Sequence, residues 1–364
     1  MNKIELAILY FFHTLNGVGN RTLWKIKGDF GSFQSCFEAD SRSLNRSSLP
    51  LQVQSAIIES RRDAKPLALL EKLAAESIKI CCVEDDDYPE LLNSIFDPPY
   101  LFYYRGDIGL LNQFCFGVVG SRAATNYGKV QARRFGNELA RQGMVVVSGM
   151  ARGIDTEAHQ GALEASGKTA AVLGSGLNIV YPPENKQLYN NICQSGIVLS
   201  EFPPDMHPEP GNFPIRNRTI SGLCHGLLVV EAKQRSGALI TADFALEQGR
   251  DVFAIPGPIN SKNSEGTNAL IKQGACLVSS IEDILNEYSL NQGNDSLGTH
   301  QGELLFDLDT DELSILESLG HEAVHFDALM GSTQLSNGML STILLKMELK
   351  GIIRAMPGNY YLKI

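Results

Sequence analysis

Cationic side chains recur in the short segments that adjoin apolar, strand-like runs in the middle of the chain. Gly120-Ser121-Arg122 follows the first run, SGMARGID at 148–155 follows the second, and Gly174-Ser175-Gly176 follows the third. The fifth run is preceded by FPIRNR at 213–218 and followed by EAKQRSGA at 231–238. These segments contain six cations, namely Arg122, Arg152, Arg216, Arg218, Lys233 and Arg235.

The residue types in these segments suit a phosphate-bearing ligand. Small residues allow the backbone to approach a ligand closely, and loop-to-helix junctions leave N–H groups that are free to bind an anion. The arginine guanidinium binds phosphate in a bidentate manner, and several separated cations match several phosphates, as in a polymer backbone. Phe213 lies among these cations, where an aromatic ring is able to stack on a base.

The alternative for any single arginine is a surface ion pair, with Glu201, Glu231 or Asp155 as partner. For an isolated residue we would favour that interpretation. For six cations that share one edge of a sheet we favour a ligand site. Asp155 and His159, spaced i and i+4, suggest acid–base chemistry, but a helix cap at Asp155 with a packed His159 is the favoured interpretation.

The elements that position these segments alternate between strands and helices. Helical patterns such as 130–141 and 239–248 separate the apolar runs, and glycines often end them. This rhythm predicts βαβ units with right-handed crossovers, hence a parallel sheet whose ligands bind at the carboxyl ends of the strands. The predicted strands are 115–119, 144–147, 169–173, 197–199, 227–230, 251–255 and 276–278.

The first 70 or so residues have a helical pattern. Leu15-Asn16-Gly17-Val18-Gly19 separates two amphipathic stretches, as in a helix-hairpin-helix motif whose backbone N–H groups bind a phosphate. A plain helical turn with glycine caps explains the same residues, and two glycines do not decide between the two.

The C-terminal part predicts a flexible linker followed by a winged helix-turn-helix. Residues 290–302 are polar and glycine-rich, helices are expected at 310–319, 326–330 and 336–350, and a hairpin is expected at 352–364. The recognition-helix stretch has only Lys346 and Lys350 as cations, so we expect this module to contact a protein rather than a duplex.

Three motif matches point elsewhere and are rejected. His321-Glu322-Ala323-Val324-His325 fits HExxH, but it follows a helix-ending glycine and we expect it to be extended, so no metal site is predicted. GALEASGKT at 161–169 precedes a strand instead of following one, which excludes a P-loop. Gly174-Ser175-Gly176 lacks the third glycine of a dinucleotide fingerprint, so no cofactor is predicted.

Composition limits the class of protein. The chain has 364 residues and a net charge of -10, of which residues 286–364 carry -7, so the acidic balance lies outside the cation-bearing segments. The seven cysteines form no CxxC pair, which favours a reducing cytoplasm. No apolar stretch is long enough for a transmembrane helix, and we read no signal peptide at the N-terminus.

Taken together, the motifs resemble the bacterial DNA-processing protein A family, known as DprA or Smf. The resemblance spans most of the chain, and its segments occur in one order. They are Tyr88-Pro89 with Asp97-Pro98-Pro99, GVVGSR at 117–122, SGMARGID at 148–155, AAVLGSGLNIVYPPEN at 170–185, SEFPP at 200–204, NFPIRNRTISGL at 212–223, VVEAKQRSGALITADFALEQGRDVFAIPG at 229–257 and GTNALIKQGA at 266–275.

The resemblance implies an α/β protein with an extended Rossmann-like parallel sheet domain at 73–288. It also implies an all-helical domain of helix-hairpin-helix or SAM-like type at 1–72, a linker at 289–302 and a winged helix at 303–364. The implied function is cytoplasmic single-stranded DNA binding with loading of RecA recombinase, in natural transformation and recombination. A homodimer through residues around 260–285 is also implied, and no catalytic step is.

Site residues follow from the resemblance at matching motif positions. The residues expected to hold the DNA backbone are Ser121, Arg122, Arg216, Asn217, Arg218 and Lys233. Those expected to line the same pocket are Gly149, Arg152, Phe213 and Gly237.

A rival interpretation is an enzyme. The chain resembles phosphoribohydrolases of the Rossmann type distantly, and a pair such as Arg122 with Glu231 would then cleave an N-glycosidic bond. The chain has Ser236-Gly237-Ala238-Leu239-Ile240-Thr241 where those enzymes carry a PGGxGT phosphate loop, and the missing double glycine counts against this alternative. A third alternative is a structural adaptor that acts through the winged helix and leaves the cations without a ligand.

Overall fold

The structure of the chain is a computed structural model. It describes residues 1–288, 311, 314, 315, 318, 319, 324–333, 335–349, 353–356 and 358–363. The chain divides into two compact units, residues 1–291 and 292–364. The predicted linker at 290–302 lies outside the described residues, and the proposed domain boundaries at 72 and 303 stay predictions.

The N-terminal region is helical. Its apolar side chains, among them Phe12 and Phe33, form a core that also includes Tyr103 and Val198 of the sheet. The turn between the first two helices uses Gly17 at a positive φ of 83°, which is a backbone conformation that favours glycine. The helices are α1 Lys3–Thr14, α2 Asn20–Phe30, α3 Phe33–Glu38, α4 Ser41–Arg46, α5 Leu51–Ser60 and α6 Pro66–Ala75.

A nine-stranded sheet follows. The strands are β1 Lys79–Cys82, β2 Leu101–Gly106, β3 Cys115–Val119, β4 Val145–Ser148, β5 Thr169–Val172, β6 Ile197–Ser200, β7 Gly226–Val229, β8 Asp251–Ala254 and β9 Cys276–Leu277. Their order is β1-β2-β6-β5-β4-β3-β7-β8-β9. Each neighbouring pair in the part of this order that runs from β6 through β3 to β9 is parallel. The seven predicted strands are therefore confirmed, each within one residue at either end.

The sequence analysis did not predict two of the strands, β1 and β2. β1 and β2 pair with each other and β2 pairs with β6, in both cases antiparallel, so the sheet is mixed at this edge. Their segments are short and lack the βαβ rhythm, because antiparallel neighbours need no crossover helix to mark them.

Helices cover both faces of the sheet. Phe116 and Val118 of β3 pack with α8 and α9 on one face, while Cys115 and Val119 pack with α11 and α12 on the other. The helices are α7 Glu90–Asn93, α8 Asn126–Arg141, α9 Ile154–Glu164, α10 Lys186–Ser195, α11 Asn212–Gly222, α12 Gly237–Glu247, α13 Glu265–Lys272 and α14 Ile281–Glu287. Short 3-10 turns span Ile108–Asn112, Pro183–Asn185 and Lys262–Ser264.

The order in which strands are added to the sheet reverses at β3, which has β4 on one side and β7 on the other. In open parallel sheets such a switch point opens a crevice at the carboxyl ends of the strands. The fold therefore brings the loops that follow β3, β4 and β5 to one edge, as the sequence analysis expected.

The second unit is the predicted winged helix. Its described elements are β10 Val324–His325, α15 Phe326–Thr333, α16 Asn337–Leu349, β11 Ile353–Met356 and β12 Tyr360–Lys363, with sheet order β10-β12-β11. Leu329, Leu340, Leu344 and Ile353 belong to its separate core. Of the HExxH match, residues 321–323 lie outside the described residues, and its last two residues form β10.

Membrane-spanning helices and metal clusters are both absent from the described residues. No helix in the described part of the chain is long and apolar enough to cross a bilayer. Within the same described ranges, no cluster of histidine, cysteine and carboxylate side chains has the geometry of a metal site.

Candidate nucleic-acid interface

A pocket opens at the carboxyl ends of β3, β4 and β5, against the first turns of α11. We call it the strand-end pocket. It is lined by Arg122, Gly149, Ala151, Arg152, Gly174, Ser175, Tyr181, Pro182, Phe213 and Arg216. Five of the predicted site residues are thus brought together, namely Arg122, Gly149, Arg152, Phe213 and Arg216.

Arg216 is a buried cation in this pocket, with only 4% of its surface exposed. Its Nη1 lies 3.7 Å from Oδ2 of Asp155 and donates to the Val172 carbonyl at 3.4 Å. Its Nε has no hydrogen-bond partner among the described residues. An unpaired buried donor costs free energy, so a further acceptor that reached this Nε–H would stabilise the guanidinium.

The electrostatics of this pair follow from burial. Burial raises the pKa of the Asp155 carboxyl, and the nearby Arg216 charge opposes that shift. Burial lowers the pKa of the Arg216 guanidinium, and Asp155 opposes that shift in turn. Each partner therefore needs the other, as expected for an ion pair taken out of water.

Gly149 makes room for the guanidinium. A Cβ built at this position would lie 1.1 Å from Arg216 Nη1, so any side chain would displace it. The sequence reveals the glycine, but not which side chain occupies the space that it leaves.

Arg122 and Phe213 form the mouth of the pocket. The Arg122 guanidinium lies 4.5 Å from the centroid of the Phe213 ring, within cation–π distance. The ring is also seated against Gly174, where a Cβ would approach it to 3.0 Å. The guanidinium covers one face of the ring, so a base that stacks on that face must displace it.

The loop between β4 and α9 shapes the wall. Met150 and Gly153 have positive φ angles of 54° and 78°. A Cβ at Gly153 would lie 2.4 Å from the Ser121 carbonyl oxygen, which accepts the Ile154 N–H at 3.3 Å. Ser121 is buried, and its N–H donates to the Glu231 carbonyl at 2.8 Å, so this residue joins the loops around the pocket.

Arg152 lies at the exposed rim. Its guanidinium forms an ion pair and a hydrogen bond with Glu184, and both side chains are exposed. Because exposed ion pairs are weak, a phosphate is able to compete with Glu184 for this arginine.

Four predicted site residues are not among those that line the pocket, namely Ser121, Asn217, Lys233 and Gly237. The Asn217 side chain donates to the Gly237 carbonyl at 3.2 Å and so ties α11 to α12. Lys233 is exposed in the loop after β7, as is Arg235. In the described ranges, neither of them nor Arg122 takes part in an ion pair with a carboxylate.

Arg218 departs from the expectation that it holds the DNA backbone. It lines a separate groove and not the strand-end pocket. This groove lies beside the N-terminal hairpin, which consists of α1, residues 15–19 and α2. Its guanidinium pairs with Asp97 at 2.9 Å and with Glu201 at 2.8 Å, and only 12% of its side chain is exposed. The surface ion pair that we weighed against ligand binding is thus present at Arg218, in a largely buried form.

His159 follows the structural interpretation, but the expected helix cap at Asp155 is not formed. α9 begins after Gly153 without a side-chain cap, and Asp155 lies inside its first turn. The Asp155 carboxylate accepts the Ala151 N–H at 3.4 Å and pairs with Arg216. His159 is fully buried with its Nδ1 2.6 Å from the Thr169 hydroxyl, and burial lowers its pKa to about 3. It is therefore neutral at physiological pH and enclosed by the protein.

Arg122 and Glu231, the pair named as an example for the enzyme alternative, form no ion pair within the described residues. Glu231 is buried, where it accepts hydrogen bonds from the N–H and the hydroxyl of Thr125 and from the Asn263 side chain. Its carboxylate thereby holds the start of α8 and, within the described residues, forms no ion pair with Arg122.

Sequence reasoning missed Tyr181 and Pro182, which line the pocket. Tyr181 packs near Phe213, with ring centroids 6.1 Å apart. Both residues belong to the loop that begins at Gly174, so its position after β5 was a usable signal.

Comparison with protein-family models gives two matches. Residues 79–289 match the model described as DNA recombination-mediator protein A, and residues 302–359 match the DprA winged helix domain. The first covers the whole sheet and the strand-end pocket.

Curated relatives cover different parts of the chain. Protein Smf of Escherichia coli (strain K12) is 42% identical over 283 residues, 76% of this chain and 75% of the relative. Protein Smf of Synechocystis is 32% identical over 99% of both chains. The DNA processing protein DprA of Streptococcus pneumoniae is 48% identical over 204 residues, 56% of this chain and 72% of the relative.

Solved structures agree with the fold. The X-ray structure of DNA processing protein A from Streptococcus pneumoniae superposes with a TM-score of 0.67 and 36% identity, over 79% of this chain and 98% of that chain. A DNA processing protein A from Helicobacter pylori, studied for its single-stranded DNA binding mode, gives 0.53 and 30% over 58% and 97%.

Proposed function

Since the chain belongs to the DNA recombination-mediator protein A family, whose relatives carry the names DprA and Smf, we propose that it processes DNA by binding a single strand at the strand-end pocket. The observation that carries the proposal is the buried Arg216, whose Nε lacks a partner among the described residues, beside the Arg122–Phe213 stack. A buried donor and an aromatic face in one pocket match a nucleotide unit better than a lone anion.

The exposed cations extend this site along the carboxyl edge of the sheet. Arg122 and Arg152 lie at the pocket, and Lys233 lies in the loop after the neighbouring β7. Separated cations along an edge match successive phosphates of a strand. A duplex buries its base faces in stacking, so Phe213 favours the single strand.

The wider role is proposed from the resemblance and from the names of the relatives. The bound strand is handed to RecA recombinase in natural transformation and homologous recombination, in the cytoplasm. The proposed homodimer uses the region around 260–285, where Ile259 is 97% exposed and Leu277 lies exposed on the edge strand β9. The proposed partner of the winged helix is a protein.

A binding titration tests the DNA site. Fluorescence anisotropy compares a labelled oligo-dT strand with a matched duplex over a salt series, for wild type and the Arg122→Ala/Lys233→Ala variant. We expect preferential single-strand binding that the variant weakens, with a salt slope flatter by about 0.7 for each phosphate that the variant no longer neutralises.

A matched control removes the same two charges from the opposite edge of the sheet. Arg141 and Lys168 are exposed and precede β4 and β5, at the amino ends of the strands. The Arg141→Ala/Lys168→Ala variant should bind as wild type does. Equal affinity for strand and duplex, or an equal decrease of affinity in the two double variants, would refute the proposal, and hydrolysis of a nucleoside 5′-monophosphate would favour the enzyme alternative.

A further inference from the structure

Arg218 is the centre of a set of contacts that the DNA-binding proposal does not use. Its guanidinium pairs with Glu201, just after β6, and with the carboxylate and backbone carbonyl of Asp97. Glu201 is buried and also accepts the Thr219 hydroxyl. These contacts fix one face of α11 to the loop before β2 and to the end of β6.

The other side of that loop binds the N-terminal hairpin. The Asn20 amide donates to Asp97 Oδ1 and to the Pro98 carbonyl, both at 3.0 Å, and its oxygen accepts the Tyr100 N–H at 2.7 Å. Trp24 Nε1 donates to the same Pro98 carbonyl at 3.2 Å. Asp97 therefore contacts the hairpin through one oxygen and Arg218 through the other.

The helix connects these contacts to the strand-end pocket. Arg216 and Arg218 are two positions apart on α11, so they point to nearly opposite faces of the helix. Phe213 and Arg216 are three positions apart and share the face at the pocket. A rotation or shift of α11 would thus move both pocket residues together.

We propose that Arg218 is a positioning residue, which with Asp97 and Asn20 transmits the docking of the hairpin to α11 and so sets the placement of Phe213 and Arg216. The inference rests on the proposed DNA site. It assigns the hairpin an indirect role, in place of phosphate binding by its glycine turn. It also replaces the expectation that Arg218 itself holds the DNA backbone.

The Asp97→Ala variant separates the two roles because they predict opposite signs. If Arg218 were a phosphate ligand restrained by Asp97, removal of the carboxylate would free a cation, tighten binding and steepen the salt slope. If Arg218 positions α11, the same change weakens oligo-dT binding, by about threefold or more, and leaves the slope unchanged.

The Asn20→Ala variant tests the hairpin end of the path. It should weaken binding in the same way, and the Asn20→Ala/Asp97→Ala double variant should bind no more weakly than the weaker-binding single variant, because both act through one path. Arg21→Ala is the matched control, since Arg21 is exposed on the same hairpin and has no ion pair within the described residues. A flatter slope in Arg21→Ala, or unchanged affinity in both Asn20→Ala and Asp97→Ala, would overturn the inference.

A measurement without DNA keeps this inference separate from the proposed function. Hydrogen–deuterium exchange of the α11 amides should quicken in Asn20→Ala and Asp97→Ala and stay as in wild type in Arg21→Ala. Unchanged α11 exchange overturns the path from hairpin to helix whether or not DNA binds. Faster exchange in a protein that fails to bind oligo-dT would retain the path and reject the DNA site.

Discussion

The Arg122 guanidinium covers the face of the Phe213 ring at 4.5 Å from its centroid. A base that stacks on this face of the ring would have to displace the guanidinium. Under the proposed function, we expect the strand-end pocket to exchange this cation–π contact for a stacking contact on Phe213 and a contact between Arg122 and a phosphate of the strand.

Phe213→Leu should weaken single-strand binding without changing its salt dependence. Loss of one stacked base costs about 1–3 kcal/mol, or roughly 5- to 150-fold in affinity. Leucine fills similar space against Gly174 and removes no cation, although Arg122 loses the ring that it contacts. We therefore expect the number of phosphates neutralised to stay constant. Anisotropy titrations over a salt series measure both quantities, and a flatter slope with unchanged low-salt affinity would contradict the stacking role.

Glu184→Gln should strengthen single-strand binding. The Glu184 carboxylate pairs with Arg152 at the rim of the pocket, and its removal frees the guanidinium for a phosphate. The salt slope should steepen by up to about 0.7, the value for one phosphate on a single strand. Glu164→Gln is a suitable control, since Glu164 pairs with Arg133 at the far end of α9 and should not affect the titration.

The position of the strand-end pocket at this edge of the sheet was predictable from one rule. Parallel strands end at a common edge, so residues that follow β3, β4 and β5 meet there even when far apart along the chain. Arg122 and Arg152 were placed correctly by that rule alone.

Partners across long sequence separations were not predictable. Arg216 and Arg218 are two residues apart and look alike in sequence, yet one faces the pocket and the other pairs with Asp97, 121 residues away. The helix phase of α11 separates them, and only the packed structure sets that phase. The sequence analysis also missed β2, which contributes Tyr103 to the core. This strand pairs antiparallel with the distant β6, and no crossover helix marks it in the sequence.

Gly149→Ala should destabilise the fold and disturb the pocket. The new Cβ would collide with Arg216 Nη1, and overpacking of a filled site costs about 1–3 kcal/mol. Gly237→Ala is the matched glycine control, because a Cβ there meets nothing within 4 Å. Urea unfolding at neutral pH compares the two, and equal stability of both variants would show that Arg216 moves aside freely.

The unfolding free energy should fall as the pH drops below about 6.5, partly because of His13. Burial lowers its pKa to about 4, and its Nδ1 lies 2.7 Å from the Tyr103 hydroxyl. The unfolded chain takes up a proton near pH 6.5 while the folded protein stays neutral until about pH 4, so acid favours unfolding throughout that window. At pH 5.5 this linkage removes about 1.4 kcal/mol relative to pH well above 6.5.

His13→Gln should reduce this pH dependence by the same amount, since glutamine cannot take up a proton. Urea unfolding at pH 7.5, 6.5 and 5.5 gives the comparison, with His207→Gln as the control because His207 is exposed. The pH range stays above the window in which most carboxylates titrate, so the histidines dominate the slope. An unchanged slope in the His13→Gln variant would mean that His13 takes up protons in the folded protein as readily as in the unfolded chain. Its burial on α1 against Tyr103 of β2 opposes that outcome.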